Sequence, residues 1–216
     1  MELKIIYDNR AKKGFKSGWG FSCLVDEHLL FDVGADSDTL LFNMRRFDID
    51  LSEIDKVFLS HEHSDHIGGI HILDMLGDVK VYAPRSFSNR FKRLLTAHSN
   101  VDFIEIGEAS QISGNFYSTG EMGRFIKEQS LIIKKGNKLT IVTGCSHPGL
   151  ENILNKASKL GEIYGVIGGF HGFSKLEKLR DLHLIVPCHC TARKREMLKL
   201  YPEKCRECSA GCRIEI

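Results

Sequence analysis

Apolar residues fall into short runs along the chain, and their spacing predicts alternating strands and helices. Runs rich in Val, Ile, Leu and Phe and bounded by turn residues predict strands. The predicted strands are Leu3–Tyr7, Gly20–Val25, Leu29–Val33, Lys56–Ser60, Val79–Ala83, Asp102–Ile106, Asn115–Thr119, Leu131–Lys134, Leu139–Thr143, Ile163–Ile167, His183–Val186 and Arg213–Ile216. Helical spacing of apolar residues predicts helices at Asp38–Phe47, Gly69–Leu76, Ser86–Ala97, Gly149–Leu160, Ser174–Leu182 and Arg193–Leu200.

The order of these elements predicts an α/β fold of one domain. The early strands follow one another as hairpins, whereas the later strands alternate with helices. Two packed sheets with helices outside satisfy this order, and so does an ordinary α/β fold. The 216 residues, of which 42% are hydrophobic, are enough for one sizeable core, so we expect a single domain over residues 1–216.

Net charge and hydropathy indicate which classes of binding partner the protein is not expected to have. The formal net charge is +2 and no long Lys/Arg run occurs, so we expect no nucleic-acid partner. The residues Met1–Tyr7 predict a strand and not a signal peptide, and no apolar run is long enough to cross a membrane. We therefore expect a cytoplasmic protein with no membrane partner, and the sequence gives no indication of its oligomeric state.

Five of the seven cysteines lie late in the chain, at Cys188, Cys190, Cys205, Cys208 and Cys212. An odd number of cysteines without a secretion signal argues against a disulfide framework, and reduced thiols are the favoured interpretation. A metal-binding pair at Cys205 and Cys208 and a redox-active or stabilising disulfide are the alternatives. This cluster also suggests one function of another class, a redox or iron-binding module.

The segment His61–His66 contains three histidines and an aspartate within six residues. It follows a predicted buried strand and precedes a turn, so its side chains can point into a cleft. Imidazole nitrogens and carboxylate oxygens bind zinc and similar divalent ions. The alternating spacing lets His61 and His63 reach one metal while Asp65 and His66 reach a second. Such a binuclear site would make a bound water nucleophilic near neutral pH.

Three further histidines follow predicted strands. His147 and His189 each follow a short apolar strand, and we expect His147 to join His61 and His63. By the same reasoning, we expect His189 to join the ligands of the second metal. His171 follows a glycine pair at a strand end, where the backbone can come close to a ligand. It is a candidate for substrate binding or proton donation, and an ordinary turn histidine is the alternative.

The pattern His-x-His-x-Asp-His at residues 61–66 resembles the metal-binding motif of the metallo-β-lactamase superfamily. The segment Phe31–Asp36 resembles the upstream aspartate motif of that superfamily, which implies that Asp32 supports the metal-binding loop from behind the ligands. The resemblance also implies a four-layer αβ/βα sandwich with the metals at one edge of the sheets.

The later segments resemble one branch of this superfamily. Gly-Cys-Ser-His, Gly-Gly-Phe-His and Pro-x-His-Cys-Thr occur in that order, as in the branch that includes the 7,8-dihydropterin-6-methyl-4-(β-D-ribofuranosyl)aminobenzene-5′-phosphate synthase. The segment Thr119–Arg124 resembles a substrate-facing segment of the branch, which implies that Glu121 and Arg124 contact substrate. One departure is Cys145, which stands where typical superfamily hydrolases carry an aspartate that bridges both metals. Its thiolate could bind or bridge metal, or it could be a buried bystander.

These residues favour a metal-dependent hydrolase that uses a metal-activated water on an ester or phosphoester of a small molecule. Asp65 would orient the water or accept its proton, and His171 is the second candidate catalytic residue. We expect two divalent ions, with zinc favoured and manganese or iron as alternatives. A phosphorylated substrate would suit the planar guanidinium of Arg124. The alternative function is a synthase-type transferase of the dihydropterin branch, which forms a C–C bond.

Overall fold

The computed structural model describes all residues from Met1 to Ile216. The chain divides into two compact units. The first unit comprises Met1–Ile106 together with Ser209–Ile216, and the second unit comprises Gly107–Cys208. The expectation of a single domain over residues 1–216 stays a prediction.

The first unit contains a seven-stranded mixed sheet with the strand order β13-β1-β2-β3-β4-β5-β6. Its strands are β1 (Glu2–Tyr7), β2 (Ser22–Val25), β3 (Leu29–Phe31), β4 (Lys56–Phe58), β5 (Val79–Pro84), β6 (Val101–Ile106) and β13 (Arg213–Glu215). The strands from β3 to β6 run parallel, and the remaining pairs are antiparallel. The carboxyl ends of β3 and β4 therefore lie at the same edge of the sheet, and they lead directly into Asp32 and Ser60–His66.

The helices of this unit are α1 (Ser37–Arg46), α2 (Ser64–Ile67) and α3 (Asn89–Thr96), with 3₁₀ turns at Leu51–Glu53 and Ile70–Met75. The helix predicted at Gly69–Leu76 is therefore shorter and tighter than expected. Gly68 and Gly69 explain the difference, because a β-carbon at either position would collide with the backbone of the segment 33–35. The close approach of these two segments requires glycine and interrupts the α-helical path.

The second unit contains a six-stranded sheet with the order β12-β11-β10-β9-β8-β7. Its strands are β7 (Ser110–Ser113), β8 (Phe116–Ser118), β9 (Leu131–Lys135), β10 (Lys138–Thr143), β11 (Glu162–Gly169) and β12 (Leu184–Cys188). Strands β10, β11 and β12 are parallel, so the segments that follow them begin at one edge of the sheet.

Two helices, α4 (Leu150–Ala157) and α5 (Lys194–Leu200), and 3₁₀ turns at Ser158–Leu160 and Leu176–Leu179 complete this unit. The helix predicted at Ser174–Leu182 is only the second of those turns. Its few apolar residues, Leu176, Leu179 and Leu182, are buried in the core. Their spacing resembles that of a helix, but one 3₁₀ turn is enough to bury them.

Cys188 and Cys208 form a disulfide with Cα atoms 5.2 Å apart, so the expectation of reduced thiols is wrong for these two residues. The physical reason is a contact that the sequence does not display. Ile185 of β12 pairs in parallel with Cys205, and the Ile185 amide donates to the Lys204 carbonyl at 2.9 Å. This pairing lays the segment 204–208 alongside β12 and brings the two sulfurs together.

None of the helices combines the length and apolar character that a membrane crossing requires.

Candidate metal centre

The candidate ligands of the first unit are held by one buried carboxylate, that of Asp32. Its Oδ1 accepts the Ser60 amide at 2.7 Å, and its Oδ2 accepts the Ser60 hydroxyl at 2.7 Å. The same Oδ2 lies 2.6 Å from Nδ1 of His66. Asp32, Ser60 and His66 are all fully buried. Asp32 thus fixes the end of β4 and the orientation of the His66 ring at once.

These hydrogen bonds determine which ring nitrogens carry protons. An ionised carboxylate only accepts, so His66 donates from Nδ1 and its Nε2 keeps a lone pair. The Ser60 hydroxyl donates a hydrogen bond to Asp32 and can therefore accept one from Nδ1–H of His61, which lies 2.9 Å away. Nε2 of His61 then also keeps a lone pair. In its neutral form, each of these histidines therefore presents an unprotonated Nε2, as a metal ligand requires.

The nitrogens of His61 and His63 converge as two ligands of one ion would. Nε2 of His61 lies 3.1 Å from Nδ1 of His63. Two nitrogen ligands of one tetrahedral zinc ion, each bound at about 2.0–2.1 Å, lie about 3.3 Å apart. Asp65 Oδ2 lies 3.9 Å from His66 Nε2, with its side chain only partly exposed. The donor set of the first unit therefore fits a divalent metal.

In the second unit, the loop that carries His147 is tied down by Glu128, a residue that sequence reasoning did not single out. Glu128 is 1% exposed. Its Oε1 accepts the amides of Cys145 and Ser146 at 3.0 and 2.9 Å, and its Oε2 accepts the amide of His147 at 2.8 Å. Nothing in the polar run Glu128–Ser130 distinguishes it from an exposed turn, so only the structure reveals this role.

Three candidate residues, and Ser146 beside the candidate His147, adopt the left-handed backbone conformation that ordinarily favours glycine. They are Asp32, Ser146, His171 and His189, with φ angles of 50°, 60°, 46° and 43°. Such conformations are costly for residues with side chains and persist where the surroundings enforce them. In the second unit, each of the three lies within three residues of the end of a parallel strand.

His147 and His171 lie together beside a cleft of the second unit. Their ring centroids are 5.2 Å apart, and both rings line a cleft of about 470 Å³. The cleft is also lined by Phe170, Phe173 and Lys175. Most of the residues that line the cleft are polar, among them Glu151 and Asn152, and its size suits a small organic molecule that carries polar groups.

The structure places the other two predicted substrate contacts elsewhere in the second unit. Arg124 is exposed, and its guanidinium lies 5.3 Å from the ring centroid of Phe125, which is 90% exposed. The amide of Glu121 donates to the Gly107 carbonyl at 2.9 Å. Neither side chain lines the cleft beside His171.

Comparison with known proteins identifies the family of the chain. The family model of the metallo-beta-lactamase superfamily matches residues 22–147. The uncharacterized protein MJ0448 of Methanocaldococcus jannaschii is 30% identical over an alignment of 236 positions, which covers 89% of this chain and 91% of the relative. The 7,8-dihydropterin-6-methyl-4-(beta-D-ribofuranosyl)-aminobenzene-5'-phosphate synthase of the same organism is 26% identical, with 84% of each chain covered.

A solved structure gives the same result for the fold. The crystal structure of Tm1679, described as a metal-dependent hydrolase of the beta-lactamase superfamily, superposes with a TM-score of 0.82 at 28% identity. The match covers 100% of this chain and 99% of that one. The predicted fold class of metallo-β-lactamase type is thereby confirmed. Since both the family model and a relative of nearly full length match, this chain belongs to the metallo-β-lactamase superfamily.

Proposed function

We propose that the protein is a metal-dependent hydrolase that cleaves an ester or phosphoester bond of a small molecule in the cytoplasm. The observation that carries the proposal is the arrangement of His61 and His63, whose facing nitrogens have the spacing of ligands on one ion. The hydrogen bonds of Asp32 and Ser60 support it further, because they leave a lone pair on Nε2 of both His61 and His66.

The proposed ligand set follows the order of the motifs along the chain. His61, His63 and His147 would hold one divalent ion, and Asp65, His66 and His189 would hold the other. Zinc suits imidazole and carboxylate donors, and manganese and iron accept the same donors. When bound, such ions lower the pKa of a coordinated water towards neutrality and stabilise negative charge that develops on the substrate.

The residues of the chain would supply the remaining steps. Asp65 is partly exposed and would accept the proton of the attacking water. His171 is exposed at the rim of the cleft and would donate a proton to the leaving group of a substrate bound there. Arg124 and Glu121 do not line this cleft, so they would contact a part of the substrate that extends beyond it. Arg124, with its planar fork of donors, would contact a phosphate or carboxylate there, and Glu121 would contact polar groups.

Metal content and hydrolysis test the proposal together. About two equivalents of zinc, manganese or iron per chain, with turnover of phosphoester or lactone substrates, are expected for protein purified without oxygen. Asp65→Asn should lose most of this turnover. Asp181→Asn, which changes an exposed aspartate in the same way, is the matched control and should keep it. Absence of bound metal after reconstitution would refute the proposal.

The substrate contacts need separate variants. His171→Gln should lower kcat, and His183→Gln, at an exposed histidine that stacks on Tyr164, is its control. Arg124→Ala should raise KM for phosphorylated substrates, with exposed Arg206→Ala as its control. If Arg124→Ala leaves turnover of phosphorylated substrates unchanged, its role as a substrate contact is wrong.

A synthase-type transferase is the second candidate function, and the similarity to the dihydropterin synthase of M. jannaschii favours it. The protein would then join a dihydropterin diphosphate to a ribosyl aminobenzene phosphate with release of diphosphate, and would hydrolyse neither. Incubation with both compounds decides between the two functions, since only a synthase yields the joined product.

A further inference from the structure

Two thiols of the second unit lie next to each other although they are 45 residues apart in the sequence. Sγ of Cys145 and Sγ of Cys190 are 3.3 Å apart. Cys145 follows β10 and is 4% exposed, and Cys190 follows β12 and is half-buried. Neither forms a disulfide. The carboxylate of Glu128 accepts the amide of Cys145, and this hydrogen bond fixes the backbone that carries the first thiol.

The neighbouring strand leaves room for this pair. Gly169, at the end of β11, lies between the two thiol-bearing loops. A β-carbon at Gly169 would come 2.8 Å from Sγ of Cys190 and 3.2 Å from Cα of Cys145. The same β-carbon would come 2.3 Å from the Gly144 carbonyl oxygen. Glycine at this position therefore allows the close approach of the two backbone segments, and it also leaves room for the sulfur of Cys190.

A third donor completes the arrangement. His189 is 3% exposed, and its ligand nitrogen and the two sulfurs all lie within 4.8 Å of one another. The loop is locked behind it, since the Thr191 hydroxyl accepts the Phe170 amide at 2.9 Å and donates to the Cys188 carbonyl at 2.7 Å. Two sulfurs and one imidazole form a donor set that suits zinc or ferrous iron.

We propose that Cys145 and Cys190 are thiolate ligands which, with His189, give the metal centre a sulfur-rich side for zinc or ferrous iron. The inference rests on the proposed function, because it concerns the metal centre of the same enzyme. Coordination would remove the proton from each thiol, as it does for thiols generally. The centre would then be softer than one built from imidazole and carboxylate alone.

Cobalt(II) is the probe, because its spectrum distinguishes thiolate ligation from metal binding through other ligands. The protein is stripped with a chelator and reloaded with cobalt without oxygen. Wild type should show visible ligand-field bands and also a near-ultraviolet sulfur-to-cobalt charge-transfer band. Cys145→Ser and Cys190→Ser should each lose about half of the charge-transfer intensity, because each removes one of two thiolates. Cys212→Ser, at a thiol that is half-buried like Cys190, should leave it unchanged.

A second measurement needs no variant and so does not depend on the folding of the serine forms. Bound cobalt or zinc should protect Cys145 and Cys190 of the wild-type protein from iodoacetamide, as read by peptide mass mapping, while the alkylation of Cys212 stays the same.

Two outcomes would overturn the inference and leave the proposed function intact. One is cobalt binding with ligand-field bands but without a charge-transfer band. The other is a Cys145–Cys190 disulfide in protein prepared without oxygen. Failure to bind cobalt at all would refute the proposed function and this inference together.

Discussion

Glu128 provides the sharpest test of how the second unit positions its candidate ligands. Its two carboxylate oxygens accept three consecutive amides, those of Cys145, Ser146 and His147, at 2.8–3.0 Å. In Glu128→Gln, one oxygen can still accept two of these amides. The other oxygen is replaced by an NH₂ group. This group and the amide of His147 are both donors, so no hydrogen bond can form between them.

The structure sets the size of the effect. One hydrogen bond to a charged acceptor, about 1.5–3 kcal/mol, is lost, and a largely buried donor is left opposed. We therefore expect the free energy needed to open the loop to fall by roughly 3 kcal/mol in Glu128→Gln. The population of the open loop should then rise roughly 150-fold. The fold of β10 should persist, since none of its ladder hydrogen bonds involves this side chain.

Amide hydrogen exchange of the segment Gly144–Gly149 measures this opening directly. Glu203→Gln, at an exposed glutamate of the same unit, is the matched control and should exchange like wild type. Metal affinity should fall in Glu128→Gln, because His147 is no longer held in one orientation. Exchange of the segment in Glu128→Gln that stays within threefold of the control would show that the carboxylate does not hold the loop.

Three further predictions concern other parts of the chain. Asp32→Asn should weaken metal binding by about 10- to 100-fold in a competition titration, because it disturbs the protonation pattern of the ligand histidines; unchanged affinity would contradict that pattern. Burial alone would raise the pKa of Asp36, but hydrogen bonds from Tyr7 and Thr39 lower it overall. The stabilisation by Asp36 is therefore complete above its unfolded pKa of about 3.9 and is lost as the pH falls through the lower folded value. Tyr7→Phe should move the acid unfolding midpoint, followed by circular dichroism, to higher pH, and a midpoint that does not move would exclude this contribution. Reduction of the Cys188–Cys208 disulfide, which closes a segment of 20 residues, should lower the unfolding free energy by about 3 kcal/mol, seen as a lower Tm in reductant; an equal Tm would mean that the bridge does not restrain the unfolded chain.

Local patterns predicted most of the fold, because burial leaves a local mark on the sequence. Strand β12 is a continuous apolar run and β10 is buried over five of its six residues, and the sequence predicts both within a residue or two of their observed bounds. Strand β7 was missed because three of its four residues, Ser110, Gln111 and Ser113, are polar. It is a strand through its pairing with β8, which is a property of the neighbour and not of its own sequence.

The residues of the candidate site show the same distinction between features set by the local sequence and features set by distant partners. The ligands of the segment His61–His66 are close in sequence, so their chemistry could be predicted from spacing alone. Glu128 acts on a loop 17 to 19 residues further along, and Cys190 meets a thiol 45 residues away. Such partners are set by strand order and loop conformation, which a single sequence does not display.

The pairing of β13 with β1 has a consequence for how the chain is made. Arg213 and Glu2 are 211 residues apart in sequence, yet their side chains form an ion pair at 2.7 Å across these strands. During translation, β1 is made first, and β13 is made only after nearly all of the residues between them. Closing so long a loop costs about 2 kcal/mol more entropy than closing the β1–β2 connection. Throughout synthesis, one edge of β1 is therefore open to other strands, and a chaperone that shields residues 2–7 would prevent mispairing there.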